Sequence, residues 1–282
     1  MSILTETFTL ENGVKIPKVG FGTWQIPEGA VAYQAVVNAL KLGYRHLDTA
    51  LAYGNEASVG QAVRDSGLPR TDIFVTSKLP AQFKTYQETL QAFDQTLANL
   101  DIDYLDLYLV HAPWPWDEIG TNHDKGNREV WRAMEEIYAS GRVKAIGVSN
   151  FNVVDLENVF SDAKIKPMVD QIQYYVGFTE PKITKFAQDQ GILVEAYSPL
   201  ATGDLVHNAK IKAIAERYHV TVAQLALRFC LENNVLPLPK ATSLDHIEAN
   251  SQLDFTISAE DMMVLNQLPD TAPAHQHNPT QS

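Results

Sequence analysis

Short apolar runs alternate with amphipathic stretches along most of the chain. Runs rich in β-branched and aromatic residues predict eight strands, at residues 19–22, 46–48, 73–77, 105–110, 145–148, 168–171, 193–196 and 235–238. Between them, apolar residues recur every three or four positions. This spacing predicts helices at residues 31–42, 57–65, 86–100, 129–140, 154–160 and 181–190, and a longer helical segment at 209–233.

The regular alternation predicts a closed barrel. Strands that alternate with helices pair in parallel through right-handed crossovers, and eight of them are the number that a (β/α)8 barrel needs. The alternative is an open doubly wound sheet, but Gly20 and Gly22 lack the third glycine of a dinucleotide-binding turn. Ahead of the barrel, residues 7–10 and 14–16 flank Asn12-Gly13 and predict a β-hairpin. We expect one domain over residues 1–282, with a flexible tail at 269–282.

Composition narrows the classes of partner. The chain has 282 residues and a net charge of −12, which argues against binding to nucleic acid or anionic lipid. The single cysteine, Cys230, lies in an apolar helical run and is expected to be a buried filler rather than a reactive thiol. No apolar run is long enough to span a bilayer and no signal peptide precedes the hairpin, so we expect a cytoplasmic protein without a membrane partner. No long apolar helix face is left over once the barrel is built, so we expect a monomer.

Four residues that can move or stabilise a proton follow neighbouring strands. Asp48 ends the second predicted strand and Tyr53 lies in the next loop, while Lys78 and His111 follow the third and fourth strands. Catalytic groups of a barrel stand at these carboxyl ends. An adjacent ammonium favours the phenolate, so Lys78 is expected to lower the pKa of Tyr53, and Asp48 to keep Lys78 charged. His111 would donate a hydrogen bond to a carbonyl oxygen. The set suits proton transfer to a developing alkoxide.

Other types of site are disfavoured. The chain has no nucleophile elbow and no His-Glu-x-x-His, which argues against a serine hydrolase or a zinc enzyme. His275 and His277 have only a weak potential to bind metal, so no metal is predicted. Polar residues also follow the later strands, namely Ser149, Asn150, Gln171, Tyr197, Ser198 and Lys240.

Six segments together resemble the aldo-keto reductase family, and the similarity runs from about residue 7 to about 268. They are GYRHLDTALAYGNEASVG, VTSKLP, VHAPWP, GVSNF, AYSPL and LPKATSLDHIEAN. Within the family, the chain looks most like microbial reductases of 2,5-diketo-gluconate and small aldehydes. The resemblance implies a nicotinamide dinucleotide that lies extended across the barrel rim. It also implies that Tyr53 is the general acid, with Asp48, Lys78 and His111 around it.

The resemblance also implies which residues hold the cofactor and the substrate. Ser149, Asn150 and Gln171 would bind the carboxamide, and Tyr197 would stack on the nicotinamide. The rest of the cofactor would lie beside Ser198, Leu200, Asp204, Lys240, Thr242, His246 and Asn250. The substrate pocket would be walled by Trp24, Ala112 and Trp114; packing in the core is the alternative for Trp24.

The chain departs from the family pattern at four positions. Ala241 replaces a serine and His246 an arginine in the motif for the adenosine phosphate, so we expect NADPH to bind and NADH also to be accepted. Ala112 replaces a tryptophan and opens the pocket wall, which Trp114 and Trp116 could refill or could leave open by packing in their loop. Asp170 replaces an asparagine; it is either a surface group on the other face of its strand or an acid that acts on the nicotinamide.

The predicted function is NAD(P)H-dependent reduction of aldehydes or ketones, of the dicarbonyl, keto-sugar or aromatic aldehyde class, to alcohols. A small-molecule carbonyl compound is then the partner. One alternative is a nicotinamide-binding redox sensor. Another is a barrel isomerase or lyase in which Lys78 forms a Schiff base, because a buried lysine can become nucleophilic.

Overall fold

Eight parallel strands form a barrel in the computed structural model, which describes residues 2–273 and residue 275. The strands are β3 (Phe21–Gly22), β4 (His46–Asp48), β5 (Phe74–Leu79), β6 (Leu105–Val110), β7 (Val143–Ser149), β8 (Val169–Gln173), β9 (Leu193–Tyr197) and β10 (Val235–Pro237). Each strand pairs with the one that follows it in the chain. The backbone closes the circle, because the Gly20 and Gly22 N–H groups donate to the carbonyls of Pro237 and Pro239 at 3.1 and 3.0 Å. The predicted (β/α)8 barrel is confirmed.

Helices cover the outside of the barrel. They are α1 (Ala30–Lys41), α2 (Glu56–Asp65), α3 (Tyr86–Leu100), α4 (Asp124–Ala139), α5 (Val153–Phe160), α6 (Pro181–Asp189), α7 (Ala209–Arg217), α8 (Val222–Glu232), α9 (Leu244–Ala249) and α10 (Ala259–Asn266). The predicted hairpin is also confirmed, as β1 (Thr7–Thr9) pairs antiparallel with β2 (Lys15–Pro17).

One predicted helix is two. The segment predicted at 209–233 breaks between α7 and α8, where His219 has a left-handed φ of 56°. Thr221 then caps α8, accepting from the Gln224 N–H while the Gln224 side chain accepts from the Thr221 N–H. This capping box starts a new helix. Apolar spacing alone misses such a break, because both helices bury one face against the same barrel.

The strands present different residues inward and outward, as alternation requires. On β6, Leu107 and Leu109 belong to the cluster inside the barrel, whereas Tyr108 packs outward with its ring 5.0 Å from that of Phe93 on α3. Cys230 is buried in the outer layer, as predicted. The interior changes character along β8, where Val169 lies in the apolar cluster and Gln171 begins a polar end. The polar end is where the candidate site forms.

Two glycines of the 43–60 motif shape the segment that carries Tyr53. Gly54 ends the 3₁₀ turn Leu51–Tyr53 with a left-handed φ of 67°, a conformation that glycine adopts without strain. Gly60 lets α2 approach the end of α3, since a Cβ atom there would stand 1.9 Å from the Leu100 carbonyl oxygen. Gly54 therefore turns the chain and Gly60 lets two helices pack closely.

The first residues of the C-terminal tail contact the barrel. The Tyr175 hydroxyl donates to Asp270 at 3.0 Å, the Thr271 hydroxyl donates to the Val176 carbonyl, and Ala272 is buried. His275 packs edge-on against the Tyr175 ring. The segment thus docks on the loop after β8. His277 and the rest of the tail from 276 lie outside the described residues, as does 274.

Among the described residues, no helix has the length and apolar character that crossing a membrane would require.

Candidate active site

A buried ion pair forms the centre of the site at the carboxyl ends of β4 and β5. The Lys78 Nζ donates to Asp48 Oδ1 at 2.6 Å and to the Thr49 carbonyl at 2.9 Å. The same Nζ lies 3.3 Å from the Tyr53 hydroxyl and 4.9 Å from the centre of the Tyr53 ring. Lys78 is 0% exposed. The three side chains that the sequence predicted to act together are therefore in direct contact.

Opposing effects act on the Lys78 ammonium. Burial lowers the pKa of Lys78, but the charges of Asp48 and Tyr53 and their hydrogen bonds raise it, and the net pKa is raised. Lys78 is consequently a protonated ammonium at neutral pH. A protonated amine cannot attack a carbonyl carbon, which disfavours the Schiff-base alternative.

The predicted effect on Tyr53 needs a correction. Burial is the largest influence and raises the pKa of Tyr53; Lys78 lowers it as expected, whereas Asp48 raises it. The net pKa is raised rather than lowered. Asp48 thus assists Tyr53 only indirectly, by keeping Lys78 charged, and its own field on the phenol acts in the opposite direction.

His111 stands directly after β6, beside Tyr53. The two rings meet edge to face with their centroids 5.6 Å apart. Burial and the Lys78 charge lower the pKa of His111 well below its ordinary value, so the imidazole is neutral at neutral pH. Its Nδ1 atom is buried and has no hydrogen-bond partner among the described residues. A neutral imidazole can donate one hydrogen bond without adding a charge.

Asn55 connects two loops of the site. It precedes α2, but its side chain does not cap the helix. The Nδ2 atom instead donates to the carbonyls of Thr23 and Ile26 at 2.9 and 3.0 Å, and Oδ1 accepts from the Thr49 hydroxyl at 2.7 Å. The amide therefore ties the loop after β3 to the loop that carries Tyr53. The sequence gives no direct signal of this role beyond the polar residue itself.

The residues expected to hold a carboxamide form one network. Ser149 Oγ donates to the Gln171 carbonyl at 2.8 Å, and Asn150 Nδ2 donates to the His111 carbonyl at 2.9 Å. The Tyr197 hydroxyl donates to Asn150 Oδ1 at 2.7 Å. Asn150 has a left-handed φ of 62°, which asparagine tolerates better than most residues. The network joins the ends of β6, β7, β8 and β9 beside the ion pair.

This network fits the amide end of a nicotinamide. Amide and hydroxyl side chains supply both donors and acceptors, as a carboxamide requires, and the half-buried Tyr197 ring stands next to them. Ser198 follows with a φ of 48°, and Leu200 and Asp204 lie at the 3₁₀ segment Ala201–His207. Their role in cofactor binding stays a prediction.

The residues expected near the adenosine phosphate follow β10 in the chain. Lys240, Thr242 and His246 are exposed, whereas Asn250 is buried. Ser243 caps α9 by accepting from the His246 N–H at 3.4 Å. Exposed donors of this kind can reach a ligand without loss of structure, but their role stays a prediction.

The three residues expected at the pocket wall differ in exposure. Trp24 is 46% exposed, so the core alternative is wrong. Ala112 and Trp114 are buried together with Ala81, and Trp114 is 2% exposed, so it fills space behind the wall rather than lining an open pocket. Trp116 is the residue at the opening, 41% exposed and edge-on to His111 with 5.7 Å between ring centroids.

Asp170 is not a surface group. It is fully buried, on the face of β8 opposite Gln171. Burial raises the pKa of Asp170 well above its ordinary range, although a hydrogen bond from the Phe151 N–H lowers it in part. Alternation along the strand directs it between the barrel and the helices. The reading as a surface carboxylate is therefore wrong, and the second alternative, an action on the nicotinamide, stays untested.

One acid inside the site was missed from the sequence. Glu195 on β9 is 0% exposed and accepts a hydrogen bond from Gln171 at 2.9 Å. Gln171 donates from the same nitrogen to Asp48 Oδ2 at 2.9 Å. The signal was available, since Glu195 stands two residues before Tyr197 in one strand and so shares its face.

Comparisons with the sequences and structures of known proteins agree with one another. The sequence profile of the Aldo/keto reductase family matches residues 18–269. A glyoxal reductase of Bacillus subtilis is 41% identical over 260 residues, which cover 92% of this chain and 91% of that protein. A glycerol 2-dehydrogenase (NADP(+)) of Saccharomyces cerevisiae is 37% identical, with 94% of this chain and 91% of that protein covered. The crystal structure of an aldo/keto reductase from Brucella melitensis superimposes with a TM-score of 0.87 at 40% identity, covering 93% of this chain and 98% of that one.

Replacement of Asn55 by alanine tests the tie between the two loops. Asn55→Ala leaves the carbonyls of Thr23 and Ile26 without their buried donor. We expect the free energy of unfolding to fall by roughly 2–4 kcal/mol, as measured by urea denaturation. Gln91→Ala, which removes an exposed side-chain amide on α3, is the control and should change stability by less than about 0.5 kcal/mol. Equal losses in the two variants would contradict the role of Asn55.

Proposed function

We propose that this chain, which belongs to the aldo/keto reductase family, reduces small aldehydes and dicarbonyl compounds with NADPH. Membership of this family shows that the protein is an NAD(P)H-dependent oxidoreductase. The observation that carries the finer proposal is the Tyr53 hydroxyl 3.3 Å from the Nζ of a fully buried Lys78. An acid placed against a fixed cation is suited to giving up its proton during the reaction and not before it.

Tyr53 is the proposed proton donor. The substrate oxygen would lie between the Tyr53 hydroxyl and the His111 imidazole, whose rings meet edge to face. His111, neutral because burial and Lys78 lower its pKa, would donate a hydrogen bond that orients the carbonyl. When bound, the nicotinamide supplies the hydride. As negative charge develops on the substrate oxygen, the Tyr53 proton moves to it and Lys78 stabilises the phenolate that remains.

The raised pKa of Tyr53 is consistent with this role. Burial keeps the phenol protonated at neutral pH, so the proton is present when a substrate arrives. Lys78 favours the phenolate, so the energetic cost of transfer is reduced at the same time. Asp48 keeps Lys78 in place and charged through the 2.6 Å ion pair. Each of the three residues thus has a separate part in one proton transfer.

Ser149, Asn150 and Gln171 are proposed to hold the nicotinamide carboxamide, and Tyr197 to stack on the ring. Lys240, Thr242 and His246 are the proposed contacts for the phosphate of the adenosine half, with Asn250 behind them. His246 is exposed and offers an imidazole where a guanidinium would give a permanent bidentate contact. We therefore propose NADPH as the preferred cofactor, with NADH also used.

The substrate class follows from the opening of the site. Trp24 and Trp116 are exposed aromatic side chains, and Trp116 contacts the ring of His111. Exposed aromatic walls of this kind favour small carbonyl compounds with apolar surface. The name of the Bacillus subtilis relative, glyoxal reductase, agrees with this class. Monomeric assembly and a single domain stay predictions.

Loss of the Tyr53 hydroxyl should remove most turnover. For Tyr53→Phe we expect kcat with a dicarbonyl substrate such as methylglyoxal to fall about 10²–10⁴-fold, the usual contribution of a general acid. NADPH binding, followed by quenching of tryptophan fluorescence, should stay within a factor of a few. Tyr33→Phe, which removes a hydroxyl bonded to Asp65 on the surface, is the control and should keep full activity. Near-normal kcat in Tyr53→Phe would refute the assignment.

The adenosine contact can be tested by restoring a guanidinium. His246→Arg should lower the KM for NADPH by roughly tenfold and leave that for NADH nearly unchanged, because only NADPH carries the extra phosphate. Steady-state kinetics with both cofactors measure this ratio. His219→Arg, at the turn between α7 and α8, adds the same charge elsewhere and should leave both values unchanged. Absence of NADH turnover in the unmodified protein would contradict the proposed dual use.

A further inference from the structure

Glu195 is a second acid inside the barrel, next to the catalytic ion pair. In the sheet it lies between Gln171 on β8 and Leu236 on β10, and the three side chains share the interior face. The side chain is completely buried. Its Oε2 atom accepts from Gln171, while Oε1 has no hydrogen-bond partner among the described residues. Burial of a carboxyl oxygen without a hydrogen-bond partner lowers the stability of the fold. A residue that is kept at this cost is a candidate for a functional role.

The position of Glu195 determines how Gln171 is oriented. Gln171 Nε2 donates to Asp48 Oδ2 and to Glu195 Oε2, both at 2.9 Å. Asp48 is paired with Lys78 and can only accept, so Gln171 must present its nitrogen on this side. The amide oxygen of Gln171 then points away from both acids. It is thereby left available for the amino group of a carboxamide.

The charges that face Glu195 come from two strands. Asp48 on β4 contributes a negative charge and Lys78 on β5 a positive one, whereas Gln171 and Leu236 on the neighbouring strands are uncharged. Lys78 already neutralises Asp48, so a second negative charge would have no partner of its own. Burial, and then the Asp48 charge, raise the pKa of Glu195 to about 8. Glu195 is therefore mostly neutral at neutral pH and ionises in the mildly alkaline range.

We propose that Glu195 is a positioning residue that holds Gln171 for the nicotinamide, and that its ionisation shifts the binding preference of the site toward the oxidised cofactor. The inference rests on the proposed function, in which Gln171 binds the carboxamide. The oxidised nicotinamide ring is a cation and the reduced ring is neutral. A buried negative charge one hydrogen bond behind Gln171 would stabilise only the cation, and the low polarity of the barrel interior strengthens that effect.

The chemical consequence is a pH-dependent bias in direction. Protonation of Glu195 shifts binding toward the reduced cofactor, which is used to reduce a carbonyl compound. Ionisation of Glu195 shifts binding toward the oxidised cofactor, which is used to oxidise an alcohol. The bias would act on cofactor binding, so it can be measured without any turnover.

Binding of NADPH and NADP⁺ to wild type and Glu195→Gln tests the proposal. Both dissociation constants are measured by fluorescence quenching at pH 6.5 and at pH 9.5, and their ratio is compared. The two cofactors carry the same phosphates, so ionisation of the phosphates cancels in the ratio. For wild type we expect the preference for NADP⁺ to rise roughly tenfold with pH. For Glu195→Gln, which stays neutral, the ratio should not change.

Two further measurements test whether Glu195 itself causes the pH dependence. Glu180→Gln removes another buried glutamate, at the start of α6, and should keep the wild-type pH dependence. In the cofactor-free protein, the unfolded chain ionises Glu195 near pH 4.5 and the folded protein only near pH 8. Wild type should therefore lose stability relative to Glu195→Gln as the pH rises between these values, as urea denaturation would detect.

The outcomes are distinct. Equal pH dependence of the binding ratio in wild type and Glu195→Gln, or a stability difference that does not vary with pH, would overturn the role of Glu195 alone. Failure of wild type to bind either cofactor would overturn the proposed function and this inference together.

Discussion

The buried contact between Lys78 and Asp48 is the interaction on which the rest of the site depends. A fully buried ammonium is tolerated only with a partner, and the 2.6 Å ion pair supplies it. Lys78 also reaches the Tyr53 hydroxyl, where its charge opposes the effect of burial, which raises the pKa of the phenol. Burial, and then the same charge, lower the pKa of His111 and keep the imidazole neutral. One buried cation thus acts on both neighbouring groups, adding to the effect of burial on His111 and opposing it on Tyr53.

Barrel closure supplies the geometry for this contact. Asp48, Lys78 and His111 end three successive strands, and alternation directs the polar residues of β8 and β9 into the same interior space. The amide of Gln171 then links Asp48 to Glu195, so the network extends from Tyr53 across to β9. The cation and the amide are held by strands, and the proton donor Tyr53 lies in the short 3₁₀ turn that follows β4. Such a support keeps the relative positions fixed during the reaction.

Much of this arrangement could be predicted from the sequence, because strand-end residues of a barrel must converge. Alternation of strands and helices gave the fold, and the polar residues after each strand gave Asp48, Lys78 and His111. Features that depend on three-dimensional packing were missed. The break at His219, the loop tie by Asn55 and the burial of Trp114 all depend on contacts between distant segments. The net pKa of Tyr53 was also misjudged, since burial cannot be read from residue identity.

The protonation of Lys78 is the most direct test of the whole account. Its pKa can be measured by NMR of protein with ¹⁵N-labelled lysine, in wild type and in Asp48→Asn. The account predicts that Lys78 stays charged well above neutral pH in wild type, and that loss of the Asp48 charge lowers its pKa because burial is no longer offset. The same lysine pKa in both proteins would contradict the dependence of the site on this ion pair.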